Sequence, residues 1–173
     1  MEKISITRVT SNEITELQEI SRQTFIDTFA PYNSEQDMKQ YLEESFSQQK
    51  LAAELRHAGA EFYFARLAER VIGYIKINFG AAQTEIQSDN TMEIERIYVL
   101  QAWHGKQVGQ LLYEKAIQIA RERELEYVWL GVWEENTRAL RFYEKNGFSP
   151  FDKHIFKLGN DEQTDIMVKK SLK

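Results

Sequence analysis

The alternation of strand-like and helix-like segments places this chain in the α/β class, as a single domain over residues 1–173. Three observations carry that prediction. Short β-branched or alternating apolar runs recur along the chain, and longer segments with apolar residues at helical spacing lie among them. The two prolines, Pro31 and Pro150, and the scattered glycines mark turns, with no linker, repeat or low-complexity tract. A chain of 173 residues also suffices for a sizeable core.

Element by element, Ile4–Val9 alternates as a first strand. Leu17, Ile20, Thr24 and Phe25 give Glu13–Phe29 helical spacing, with Ser11 or Asn12 as the N-cap. A second helix over Ser34–Phe46 is capped by Ser34, and a third, Gln48–His57, ends before Gly59. Phe62–Leu67 and Val71–Phe79 form a hairpin around Ala68-Glu69-Arg70, followed by a polar loop from Gly80 to Thr91. Met92–Leu100 reads as a strand and the segment from Gly109 as a helix, with Leu112, Ala116 and Ile119 on one face. Tyr127–Val132 is a buried strand and Thr137–Asn146 a helix closed by Gly147. Two strands near Ser149–Leu158 and Thr164–Lys170 finish the chain, giving the order β-α-α-α-β-β-β-α-β-α-β-β.

The junction at His104-Gly105-Lys106-Gln107-Val108-Gly109 carries chemistry. It sets two glycines and successive backbone N–H groups where a helix begins, and such N–H groups with the helix dipole form an anion site. A strand that hands a phosphate to a helix N-terminus suggests a nucleotide cofactor. The sequence Gly109-Gln110-Leu111 lacks the Lys-Ser/Thr of an ATP or GTP loop, and the glycines at 105 and 109 do not fit the dinucleotide fingerprint. Taken alone, the two glycines also serve simply to shape the turn.

With the second half of the chain, the sequence resembles the GNAT superfamily of acyl-CoA N-acyltransferases. Asn136, Ala139, Phe142-Tyr143, Lys145 and Gly147-Phe148 match its N-x-x-A-x-x-F-Y-x-K-x-G-F signature, and His104–Gly109 is similar to its pyrophosphate loop. His104 stands where Gln or Arg is usual, and Gln107 replaces the middle glycine. Glu93–Tyr98, Gly131–Asn136, Asp161–Asp165 and the early Thr24–Phe29 further resemble the bacterial PaiA-type polyamine N-acetyltransferases.

The resemblance implies a single GNAT-like domain with a central mixed, mostly antiparallel sheet flanked by helices. It implies acetyl-CoA as cofactor and a primary amine as acceptor, with spermidine or spermine favoured. The alternatives are a protein or another small-molecule amine as acceptor, or a non-catalytic CoA-binding regulatory module. Ile97, Tyr98 and Val99 would bond the pantetheine arm and the thioester. The segment His104, Gly105, Lys106, Gln107, Val108, Gly109 and Gln110 would hold the pyrophosphate, with Lys106 adding charge. Asn136 would bond the cofactor amides and Lys145 its phosphates. Tyr143 is the expected general acid for the departing thiolate.

A general base is also needed, because an alkylamine with a pKa of about 10.4 is protonated near neutral pH. Glu93 and Glu95, two apart on one strand, share a face that by simple alternation also carries Ile97 and Val99. Glu95 is the first choice as base or amine anchor and Glu93 the second. Acidic strand residues equally serve to pair with Arg96 or Lys76. Tyr32, Asp27 and Asp37 are placed by superfamily topology at a substrate mouth. Trp103, Trp129 and Trp133 are read as core or rim packing.

Composition bounds the rest. A net charge of −5 argues against a generic nucleic-acid binder and suits a cationic substrate. With no cysteine there are no disulfides or thiolate sites, and His57, His104 and His154 lack metal-ligand spacing. No apolar run is long enough for a membrane span, and MEKISITRV is not a signal sequence, so the expectation is a cytoplasmic monomer or homodimer.

Overall fold

The computed structural model describes residues 3–173. Its elements follow the expected order: β1 (Ile4–Arg8), α1 (Ile14–Phe29), α2 (Glu35–Ser45), α3 (Gln48–Arg56), β2 (Ala60–Leu67), β3 (Arg70–Phe79), β4 (Thr91–Val99), α4 (Val108–Glu122), β5 (Tyr127–Trp133), α5 (Thr137–Lys145), β6 (Ser149–Leu158) and β7 (Asp161–Ser171). Seven strands form one sheet in the order β1-β2-β3-β4-β5-β7-β6. All neighbours are antiparallel except β4 and β5. The helix α4 between those two strands is the crossover that a parallel pair requires.

The sheet separates two apolar layers. On one face, Leu112, Ala116 and Ile119 of α4 pack with Ile75, Ile94, Val128 and Leu130 of the sheet. On the other, Leu17, Ile20 and Phe25 of α1, Met38 and Leu42 of α2 and Leu51 of α3 pack on Phe62, Phe64 and Tyr74. Burial on both faces explains why β5 reads as a near-continuous apolar run. Among the described residues, no helix is long and apolar enough to cross a membrane.

Three expectations change in detail. The first helical segment is opened by Thr10, not Ser11 or Asn12. The Thr10 N–H donates to the Glu13 carboxylate at 3.0 Å, and a short 3₁₀ turn at Ser11–Glu13 leads into α1. The last strand begins at Asp161, because the tight turn at Gly159 (φ +62°) lets pairing start at once.

The third change is in β4 and bears on function. Opposite β3, Arg96 pairs with Lys76 and Ile94 with Ile77, which leaves Glu95 as an extra residue in a β-bulge. One inserted residue reverses the alternation beyond it. Ile97 and Val99 join the α4-side layer. Glu93 and Glu95 instead meet Asn78 and Lys76 on the other face, where Arg96 lies over the Phe46 ring. The expected common face of Glu93, Glu95, Ile97 and Val99 is therefore corrected.

Candidate active site

A cleft opens where β4 and β5 part. The two strands pair only at Thr91–Tyr127, Met92–Val128 and Glu93–Trp129, although β4 runs on to Val99 and β5 to Trp133. Among the described residues no strand lies against the β5-facing edge of β4 past Glu93, so its backbone groups, apart from the Val99 carbonyl that His104 bonds, are left for another partner. The cleft between the separated ends measures about 500 Å³. Ile97, Tyr98 and Val99 line it, together with His104, Gly105, Gln107, Val108, Gly109 and Gln110 of the following loop and helix. Asn136, Tyr143 and Lys145 line it from the α5 side.

The start of α4 differs from those of α2, α3 and α5, while α1 is entered through the Thr10–Glu13 capping turn. Ser34, Ser47 and Asn136 cap α2, α3 and α5, each accepting a backbone N–H through its side chain. The α4 N-terminus has no side-chain cap, and its first intrahelical bond runs from the Leu111 N–H to the Gln107 carbonyl at 3.1 Å. The N–H groups of Val108, Gly109 and Gln110 therefore have no acceptor among the described residues. Gly105 and Gln107 both take the left-handed conformation, at φ +77° and +67°. A Cβ at Gly105 would meet nothing within 4 Å, so the loop leaves open space in front of it. Free N–H groups at the positive end of a helix are a donor set that fits a pyrophosphate.

Two loop side chains depart from expectation. The His104 ring turns back to bond the Val99 carbonyl at 2.8 Å, fastening the loop to the end of β4. Burial lowers its pKa, with the Val99 carbonyl and Asp27 opposing and Arg138 assisting. Lys106 does not line the cleft, and its ammonium lies 5.3 Å over the Trp103 ring. The cleft cations are instead Lys145 and Arg138. Arg138 was legible in principle, since residues 138, 142 and 145 recur at helical spacing on one face of α5.

A family model described as "Acetyltransferase (GNAT) family" matches residues 15–148. The chain belongs to the GNAT acetyltransferase family. An uncharacterized N-acetyltransferase of Lactobacillus delbrueckii subsp. lactis is 40% identical over 172 residues, covering 99% of both chains. A spermidine N(1)-acetyltransferase of Thermoplasma acidophilum is 26% identical over 153 residues, covering 86% of this chain and 90% of the relative. Among solved structures, the PaiA N-acetyltransferase of Thermoplasma acidophilum in complex with coenzyme A superposes with a TM-score of 0.81 at 24% identity, covering 98% of this chain and 99% of that one. The ribosomal-protein-S18-alanine N-acetyltransferase of Escherichia coli superposes at 0.74 with 12% identity, over 98% and 94% of the two chains. These superpositions establish the shared fold. The two printed activities differ in acceptor, so the fold alone does not choose one.

In this GNAT chain Tyr143 projects from α5 into the cleft while remaining only 4% exposed. The rings of Phe142 and Phe148 hold it edge-on, with centroids at 5.2 and 5.4 Å. Burial pushes its phenol pKa well above the ordinary value, so the hydroxyl keeps its proton at neutral pH.

The glutamates lie elsewhere. Neither Glu93 nor Glu95 lines the cleft. Glu95 bonds Lys76 at 2.8 Å, Arg96 at 3.0 Å and Asn78 at 2.9 Å. Burial alone would raise its pKa, but Arg96 and Lys76 outweigh that and hold it at about 2. A carboxylate so held is a weak proton acceptor. Glu93 accepts from the Thr84 N–H at 2.8 Å, the Thr84 hydroxyl at 2.6 Å and Asn78 at 3.0 Å, and burial raises its pKa.

Of the expected mouth residues, Asp27 and Tyr32 line the cleft. Asp37 does not, and packs against the Gly159 turn between β6 and β7. Trp103 and Trp133 line the cleft, whereas Trp129 is a core residue whose indole N–H bonds Gln83 at 2.8 Å. Thr24 and Thr28, within the Thr24–Phe29 segment of the resemblance, also line the cleft, as does Gln101, which gave no local sequence signal.

Proposed function

We propose that this GNAT acetyltransferase transfers the acetyl group of acetyl-CoA to a primary amine of a small polyamine, such as spermidine or spermine, by direct attack in a ternary complex. The observation that carries the reading is one cleft that combines an uncapped helix N-terminus, an unpaired strand edge and a protonated phenol. Acetyl-CoA supplies the activated acyl group when bound. The activity of the spermidine N(1)-acetyltransferase relative and the net charge of −5 support a cationic acceptor.

The chain's own groups divide the work. Val108, Gly109 and Gln110 would hold the pyrophosphate through their free N–H groups, and Lys145 and Arg138 would add positive charge. The Ile97–Val99 edge would bond the pantetheine amides, and a strand N–H aimed at the thioester carbonyl stabilises the charge that develops there. Asn136 spends its side-chain oxygen on the Ala139 N–H at 3.1 Å, leaving its amide N–H pair as the donor for the cofactor.

Tyr143 would donate its proton to sulfur as the C–S bond breaks. The departing thiolate, the conjugate base of a thiol with a pKa of about 8.5, is a weaker base than phenolate, so the donation is a strong hydrogen bond completed as charge builds on sulfur. The amine proton must leave the other way. Glu93 has the raised pKa that a base needs, and since it does not line the cleft, water would carry the proton to it.

The test is a thiol-release assay with acetyl-CoA across spermidine, a linear monoamine and a lysine-bearing peptide, with amine-free hydrolysis as the blank. The proposal expects spermidine to have the highest kcat/KM. A higher value for the peptide would reassign the acceptor.

A further inference from the structure

We propose that Asp27, with the aromatic pair Tyr32 and Trp133, binds an ammonium group of the acceptor that is not itself acetylated. This rests on the polyamine reading above and names the residues that would select it. Asp27 lies in the last turn of α1 and lines the cleft. Gln23 donates to its Oδ1 at 2.8 Å, which orients the carboxylate and leaves Oδ2 without a partner among the described residues. Tyr32 and Trp133 line the same cleft; Tyr32 is 62% exposed, yet its ring sits edge-on to Trp133 with centroids 4.9 Å apart and planes at 76°. Phe29 backs Trp133 at 5.5 Å, so the pair rests on the core and does not hang in solvent.

Charge makes this wall informative. The same cleft is built for an anion at the start of α4, with free N–H groups, Lys145 and Arg138. A carboxylate sharing a cleft with such a site opposes phosphate binding unless a cation lies against it. Asp27 is near enough to His104 of the phosphate loop to favour that ring's charged form, so the two walls interact. The negative end of α1 adds to the preference for a cation, since Asp27 stands within its last turn. Aromatic faces beside a carboxylate are the usual recognition chemistry for an ammonium group. Glu135, also on the cleft rim, carries the same sign. The reacting amine must lose its proton to attack, so a carboxylate that keeps its cation through the chemical step suits an acceptor with a second, charged amine.

The test compares wild type, Asp27→Asn, Asp27→Glu and Tyr32→Leu, measuring kcat and KM for spermidine and for a linear monoamine. Calorimetry on the same proteins gives acetyl-CoA affinity. The inference expects Asp27→Asn to raise the spermidine KM about tenfold with kcat retained, and to move the monoamine KM less than twofold. Acetyl-CoA affinity should be unchanged or tighter, because a negative charge in the cleft that holds the phosphate site is gone. Asp27→Glu should recover most of the loss, and Tyr32→Leu, at an exposed position, should reproduce part of it. Equal shifts for spermidine and the monoamine, or a loss confined to acetyl-CoA binding, would overturn the inference. If wild type prefers the monoamine, the polyamine reading fails with it. If wild type prefers spermidine and Asp27→Asn leaves its KM alone, only the Asp27 site fails.

Discussion

Replacing Glu95 with Gln separates a structural carboxylate from a catalytic one. Glu95 sits in the β4 bulge between Lys76 and Arg96, and Glu54 of α3 completes the network with contacts of 2.6 Å to Lys76 and 3.1 Å to Arg96. Holding its carboxyl at about 2 against an ordinary 4.5 corresponds to about 3 kcal/mol of stability at neutral pH. The uncharged Gln also leaves Lys76 and Arg96 with one carboxylate between them, and breaking a buried pair costs about 3–5 kcal/mol. With a urea m-value of about 2 kcal/mol/M, the unfolding midpoint should fall by about 1.5 M. The sign with pH follows from a depressed carboxyl pKa. The stabilisation is fully present above about 4.5 and is lost as pH falls through about 2, so the two proteins should converge in acid. Urea unfolding at pH 7 and at pH 3, together with kcat/KM measured below the melting range, reads both roles. A mutant within about 0.5 kcal/mol of wild type at pH 7 would refute the network argument. A collapse of kcat/KM with stability intact would restore Glu95 as the base.

Glu93→Gln should behave differently. Its raised pKa marks a carboxylate that burial disfavours, so the mutant should stay within about 1 kcal/mol of wild type by urea unfolding while the acidic limb of the kcat/KM profile moves. Tyr143→Phe keeps the buried ring and removes the proton, and stopped-flow turnover should show kcat lowered about 10²-fold with acetyl-CoA affinity retained. Gln107→Gly relieves a side chain held at φ +67°, and thermal unfolding should show a gain of about 1 kcal/mol.

The parts of the molecule that sequence made legible are those whose signal is local. The order of twelve elements followed from periodicity, and the Ser34 cap was read correctly from its position before an amphipathic run. The segment from Asn136 to Phe148 lies almost wholly within one helix and its cap, so its spacing translated directly into a shared cleft wall. The β4 bulge was not legible, because one inserted residue leaves no trace in composition and reverses every side chain beyond it. Simple alternation therefore groups Glu95 with Ile97, whereas the bulge sets it against Lys76 and Arg96, the pairing that its acidic character also allows. His104 and Lys106 were placed correctly in the chain, but the direction of each ring or ammonium depends on Val99 and Trp103. The Asp27–Tyr32–Trp133 wall joins residues about a hundred positions apart and emerges only when α1 folds across the sheet.

The account rests most directly on the uncapped start of α4 as the place where the cofactor's phosphates bind. Calorimetric titration of coenzyme A into wild type and Gly109→Pro tests it. Proline in the first helical turn is tolerated by the helix but removes one of the three free N–H groups. The account predicts saturable binding to wild type and a loss of about tenfold or more in the folded mutant. Equal affinity in the two proteins, with both folded by circular dichroism, would contradict it.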